Sequence, residues 1–472
     1  MGKATAAEPR EALHPSFYLA FWRKSEVPLE GVEPPTLSLG RNCSSIELQR
    51  LGKPVYRDAN VTGASYSLGV KIFLATLGSR GDNEPFRALA LEAASAGHEV
   101  FFAHTTDIPF APRAVYRELE LPGSMEAIVR DQGLSIARAL ASYQRVMKPL
   151  MSSIYEATTQ QIREIKPDVV IYHPKIVTAA TAAHSVGAIA VLAEMVPLTT
   201  PTSEFPPVGM PNWMPSSWNR ASYGLVSAGI AAFGGPAKKL AKSLGVIRTQ
   251  PDISLCPVSP TLIPEPADWP GHCVITGSWS VPEWGKMDDE LQQFLELGPI
   301  LYAGFGSMKD DHALVRAQAL VSAARLLGMK TLLVTGWGGL IAAPDHMVSP
   351  DVMVRESVPH SVVLPRVDAA VHHGGAGTTA AMVHSSTPSV IMPFIADQPW
   401  WARRLEQHGL GPAALSRKTT NPQVIAAAIE SARACSDALE LAALQMAQED
   451  GLAKALDILE QAEQGVFPFA PA

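Results

Sequence analysis

The chain has 472 residues, 47% hydrophobic and 18% charged, the balance of a globular protein with a large buried core and not of a disordered one. Its length exceeds one ordinary core and predicts two or three domains. The net charge of −7, from 38 basic and 45 acidic residues, comes without a basic cluster, which argues against nucleic acid as a partner.

The four cysteines, Cys43, Cys256, Cys273 and Cys435, are scattered without metal-ligand spacing and read as free thiols of a reducing cytoplasm. Residues 1–68 show little periodicity, many breakers such as Pro34-Pro35, and no signal-peptide pattern. They read as an extension of unknown role.

Order begins at Val70–Thr76, a β-rich run that leads into Gly78-Ser79-Arg80-Gly81-Asp82. A helix is predicted next, with Asn83 as cap, Glu84 favouring the dipole and Pro85 in the first turn. Phe86, Leu89, Ala90 and Ala93 share one face, and Gly97 stops it. Val100–Ala103 reads as the second strand, so the chain opens as a parallel doubly wound sheet.

Asp168–Tyr172, Ala188–Leu192 and Asp252–Cys256 read as further strands, the last closing this half. Pro257, Pro260, Pro264, Pro266, Pro270 and Pro282 then mark a linker. The rhythm restarts with a strand at Ile300–Phe305, a helix near 311–327, and strands at Thr331–Val334, Val352–Val354, Ala369–His372 and Ser389–Met392. A helical stretch from about 421 to 465 packs on the second half or crosses to the first. Expected boundaries are an extension over 1–68 and two doubly wound domains over 69–280 and 281–472. Ligands of such folds bind in the cleft at the carboxyl ends of the strands.

Two uncharged stretches raise the question of a membrane. Ile176–Ala193 fits a buried helix followed by a strand. Ala221–Ala237 is interrupted by Gly224, Gly229, Gly234, Gly235 and Pro236 and is too short to span. Peripheral lipid contact by this second stretch stays an open alternative.

His372-His373-Gly374-Gly375-Ala376-Gly377-Thr378-Thr379 follows one strand and opens a helix. Free amides at the positive end of a helix dipole hold phosphate, the glycines admit close approach, and the threonine hydroxyls add donors. The glycines alone fit a tight turn equally well. Of the two imidazoles, one suits a phosphate and the other a buried site satisfied by backbone. Asp82 faces the expected cleft as a proton acceptor, or else caps its helix or pairs with Arg80. Asp397-Gln398 suits vicinal sugar hydroxyls, or else forms a turn before Pro399. No metal-ligand motif accompanies these residues.

The run Leu74–Phe86, with His372–Thr379, Pro393-Phe394 and Asp397-Gln398-Pro399, resembles the paired signatures of sterol-type and antibiotic-type glycosyltransferases of GT-B architecture. Phe205-Pro206-Pro207, Trp218-Asn219-Arg220, Phe305-Gly306-Ser307, Gly336-Trp337-Gly338 and Val358-Pro359-His360 agree, and the resemblance spans about residues 70 to 415. It implies an α/β fold of two Rossmann-like domains, the first for the acceptor and the second for the donor. The implied reaction is inverting, metal-independent transfer of a hexose from a UDP- or dTDP-sugar to a hydroxyl of a lipophilic small molecule.

Asp82 matches the base, and Ser79 and Arg80 of the same loop are expected to bind the donor. His372 with Gly374, Gly375, Ala376, Gly377 and Thr378 matches the diphosphate clamp, with Ser307 on a loop beside it. Val358 and His360 match the base-and-ribose segment, and Asp397 with Gln398 the sugar contacts. Ser357 stands where plant-type relatives carry an aromatic platform, and Trp337 is expected to stack instead. No cofactor is expected beyond the nucleotide sugar as co-substrate. The rival expectations are an epimerase of the same architecture and a catalytically silent binding protein.

Overall fold

The computed structural model describes residues 69–78, 80–105, 115–124, 145, 147–210, 214–280 and 287–466, all within one compact unit, Ser67–Ala472. The 1–68 extension and Ser79 lie outside the described residues, as does the Arg80 side chain.

Seven strands, β1 (Lys71–Ala75), β2 (Glu99–Thr105), β3 (Arg117–Leu121), β4 (Val169–Tyr172), β5 (Ile189–Ala193), β6 (Ile253–Cys256) and β7 (Cys273–Ile275), form one sheet. Their order is β3-β2-β1-β4-β5-β6-β7. A second sheet holds β8 (Ile300–Gly304), β9 (Lys330–Val334), β10 (Val352–Arg355), β11 (Ala369–His372) and β12 (Ser389–Ile391), in the order β10-β9-β8-β11-β12. Every pairing is parallel. The strands are short apolar runs because helices cover both faces: β4, β6, β8 and β11 are buried along their whole length.

Three expectations change. β3, with the sequence RELEL, is an edge strand whose alternating charges hide it from a search for apolar runs. β7 extends the first half beyond β6, a three-residue strand inside the proline-rich region. The first helix spans Arg80–Ser95, so Asn83 lies inside it and caps nothing. Asn83 is fully buried and its Nδ2 donates to the Gly78 carbonyl at 3.0 Å, tying helix to loop. Pro85 falls in the second turn, at the cost of one intrahelical bond.

Of the breaks expected between Ala221 and Ala237, Gly224 and Gly229 lie within one helix, Asn219–Phe233, while the chain does break at Gly234, before a second helix, Gly235–Leu244. Among the described residues no helix is long and apolar enough to cross a membrane.

The final helix, Gly451–Glu463, crosses back to the first sheet. Leu452, Ala455, Leu456, Ile458 and Leu459 join the core of Ile72, Phe86, Val100 and Val274, and Glu460 pairs with His98 at 3.0 Å. The crossing is close: a Cβ on Gly451 would sit 2.4 Å from the Gly277 carbonyl carbon. A further cluster joins the halves, with Phe205, Leu262 and Ile263 against Trp400, Trp401, Leu405 and Met446. The Trp400 indole donates to the Pro206 carbonyl at 3.1 Å.

Candidate active site

In each sheet the strand order reverses beside the first strand of its half, at β1/β4 and at β8/β11. Open parallel sheets form a crevice where such neighbours send their following loops apart. The motifs singled out from the sequence lie at these two points.

On the first sheet, the loop after β1 turns at Gly78, with φ +132°, into the helix that carries Asp82 in its first turn. The Asp82 carboxylate is 20% exposed. Its Oδ1 lies 3.1 Å from Nε2 of His173 and 3.2 Å from Nζ of Lys175, both on the loop after β4. Its Oδ2 lies against Gly78, where a Cβ would come within 2.2 Å of it. The Thr76 hydroxyl donates to the Asp82 carbonyl at 3.0 Å. His173 and Lys175 were not singled out from the sequence; each follows an apolar run at a strand end, but only the β1/β4 adjacency brings them to Asp82.

On the second sheet, the loop after β11 turns at Gly374, with φ +87°, and opens the helix Ala376–His384. A Cβ at Gly374 would meet Ile391 at 2.6 Å, so the turn requires glycine. The first intrahelical amide bond is Thr379 N–H to the Gly375 carbonyl, which leaves the amides of Ala376, Gly377 and Thr378 at the positive helix end.

The two histidines separate. His372 ends β11 fully buried, its Nδ1 accepting the Gly374 N–H at 3.1 Å and its Nε2 beside the Ser389 hydroxyl at 3.3 Å. Both ring nitrogens are thus occupied inside the core. His373 is the ring in the crevice, near Gly375 and Gly306, with its buried Nδ1 lacking a hydrogen-bond partner. Burial pushes its pKa down to about 4, with His360 contributing.

Thr379 is likewise fully buried, its hydroxyl without a hydrogen-bond partner. Val358 is core, packed in the cluster of Tyr302 and Val363. His360 begins a short helix, with Nε2 3.0 Å from the Tyr302 hydroxyl. Trp337 is 47% exposed on the loop after β9, which rests on the Ser307 loop: a Cβ at Gly336 would lie 2.3 Å from the Gly306 carbonyl.

Gln398 serves its own loop. Its Oε1 accepts the Phe394 and Ile395 amides at 2.7 and 3.1 Å, and its Nε2 faces the Met308 sulfur at 3.3 Å. Gln398 is 4% exposed. Asp397 accepts the Trp401 indole N–H on its Oδ2 at 3.1 Å. Burial raises the Asp397 pKa and the Asp82 charge raises it further, while amides including that of Ala376 oppose the shift. The charge of Asp82 on the first half thus reaches Asp397 on the second.

Arg316, fully buried, supports these loops from behind. It pairs both Asp310 oxygens at 2.7 Å, donates to the Gly339 and Arg417 carbonyls, and lies over the Phe305 and Phe394 rings. It too was missed, because its position on an apolar helix face gives no sign of three converging loops.

Known proteins share the sequence pattern and the fold. Residues 342–455 match the family "Erythromycin biosynthesis protein CIII-like, C-terminal domain". The chain is 30% identical to the vancomycin aglycone glucosyltransferase of Amycolatopsis orientalis, over 73% of this chain and 86% of that one. It is 27% identical to a sterol 3-beta-glucosyltransferase of Arabidopsis thaliana, over 82% and 67%. The solved glycotransferase of kitacinnamycin shares the fold, with a TM-score of 0.63 at 20% identity over 83% of this chain and 99% of that one. Two parallel sheets, each with its own switch point, and an identity that runs through both halves carry one conclusion: the chain belongs to the sterol and antibiotic glycosyltransferase family and is a glycosyltransferase of GT-B architecture.

Proposed function

We propose that the chain transfers a hexose from a UDP- or dTDP-sugar to a hydroxyl of a lipophilic small molecule, a sterol, lipid or natural product, with inversion and without a required metal ion. The observation that carries this is the placing of the two motifs at the two switch points, a carboxylate in the first turn of the helix after β1 and a glycine-rich helix N-terminus after β11.

In this mechanism the acceptor hydroxyl gives its proton to Asp82 as its oxygen bonds to the anomeric carbon. The bond from that carbon to the diphosphate breaks on the opposite face, and its electron pair leaves with the diphosphate. The amides of Gly377 and Thr378 and a ring N–H of His373 stabilise the charge where it develops; one such donor is worth about 2.7–4 kcal/mol of barrier. Asp397 holds sugar hydroxyls, and Trp337 stacks on the nucleobase. Donor recognition thus moves from His372 to His373, and from Gln398 to Asp397 alone.

A panel of UDP-glucose and dTDP-glucose against a 3β-hydroxysterol, a macrolide aglycone and a phenol, read by mass and repeated in EDTA, tests the reaction class. Asp82→Asn should keep UDP affinity and lose about 10²–10⁴-fold in turnover. Turnover within a few-fold of wild type would remove Asp82 as base.

A further inference from the structure

The helix Asn219–Phe233 is held to the body through the face of Asn219, Ser222 and Tyr223. Asn219 Nδ2 donates to the Ser203 carbonyl at 3.0 Å, and the buried Tyr223 hydroxyl donates to the Phe205 carbonyl at 3.4 Å. Arg220 pairs with Asp268 at 2.9 Å. With that face inward, Ala221, Gly224, Leu225 and Ala228 form an exposed, uncharged stripe at helical spacing. Leu225 is 68% exposed, and Trp218, in the turn before the helix, is 64% exposed. The outward face of a surface helix ordinarily carries charged groups, and this stripe has none. We infer that it docks on an anionic lipid surface, with the helix lying in the interface and not crossing it.

Charge selects the partner. From Pro206 to Pro251 the sequence contains no aspartate or glutamate and five basic residues, Arg220, Lys238, Lys239, Lys242 and Arg248, in a chain whose net charge is −7. Arg220 and Arg248 are bound to Asp268 and Asp252. The three lysines stand on the adjoining helix Gly235–Leu244, which buries Ala237 and Ala241 and exposes all three. They form no ion pair among the described residues. An uncharged stripe with a tryptophan and a leucine, edged by ammonium groups, matches a surface that offers acyl chains beneath acidic headgroups. Docking would hold whether or not Asp82 is the base, and it is read without turnover.

The full chain is sedimented with vesicles of phosphatidylcholine alone or mixed with phosphatidylglycerol. Binding should appear with the mixed vesicles, stay weak with phosphatidylcholine alone, and fade as salt rises. Each lysine near such a surface is worth about five-fold in partition, so the triple variant Lys238→Gln, Lys239→Gln, Lys242→Gln should bind about 10²-fold more weakly. Trp218→Ser combined with Leu225→Ser should lose about 10–100-fold. UDP affinity should stay unchanged in both variants, as expected of surface changes that leave the fold intact. Amide exchange over residues 219–233 should slow on the mixed vesicles.

No binding to the mixed vesicles would overturn the inference, as would binding that either variant keeps in full, or exchange over this helix that lipid leaves unchanged. Exchange already slow before lipid is added would give the face to another part of the chain. Exchange slowed by raising the protein concentration, with a dimer in sedimentation, would give it to a second copy. Either result equally overturns the assignment to lipid.

Discussion

Gly78→Ala adds one methyl group at the first switch point and should act on the base without touching the donor side. The added Cβ would lie 2.2 Å from Oδ2 and 2.8 Å from Cγ of Asp82, and 2.8 Å from Nζ of Lys175. Ordinary contacts begin near 3.4 Å, so the carboxylate must retreat by about 1 Å. The helix that carries it is tied back through Asn83 to the Gly78 carbonyl, so backbone relief is limited. Displacement of a catalytic group on that scale costs about 10²-fold in kcat, equivalent to about 2.7 kcal/mol of barrier. Alanine at φ +132° adds strain of order 1–3 kcal/mol, to be read as a lower unfolding midpoint. Steady-state kinetics with calorimetric titration of UDP separates the effects: kcat should fall while UDP affinity holds. A Gly78→Ala enzyme within three-fold of wild type in kcat would refute a fixed, functional placement of Asp82 against this glycine.

Other outcomes test the second half and the frame. His373→Ala should weaken UDP binding by about 10–100-fold, the worth of a hydrogen bond to a charged group, whereas His372→Ala should lower thermal stability first; the reverse ranking in titration and melting would restore His372 to the clamp. Arg316→Met leaves Asp310 and two carbonyls without their partner and should destabilise the fold by about 3–5 kcal/mol in denaturant titration. His184 has a raised pKa, first through its bond to Asp252. Its contribution to stability is fully present below the ordinary histidine value of about 6.5 and fades as pH rises through the raised one. The melting-point gap between wild type and His184→Leu should therefore be widest near pH 5–6 and shrink toward alkaline pH. A gap that is flat or widens with pH would contradict the assigned pair.

The apolar strands and the glycine turn were legible because each is a local pattern: a run buried on both faces, or a turn that needs a positive φ. What adjacency decides was not legible. Asp82 is read as a base or a cap from its own neighbours, and only the β1/β4 pairing shows that His173 and Lys175 hold it. The paired histidines share one motif, yet alternation along β11 sends His372 inward and leaves His373 at the turn. Gln398 looks like a ligand contact in sequence because a surface amide and a loop-closing amide are the same residue type; two backbone N–H groups on its Oε1 decide between them. β3 and β7 escaped for related reasons, since edge position and brevity remove the apolar signal.

The return of the last helix to the first sheet has a consequence for building hybrid enzymes. A half-exchange cut only at the proline-rich connection would give the incoming first half a foreign closing helix. The glycine contact between Gly277 and Gly451 and the apolar row from Leu452 to Leu459 would then have to fit by chance. A hybrid that keeps acceptor choice from one parent and donor choice from another must therefore take the segment from about Gly451 onward with the first half. The heritable module is discontinuous in sequence, although it is continuous in space.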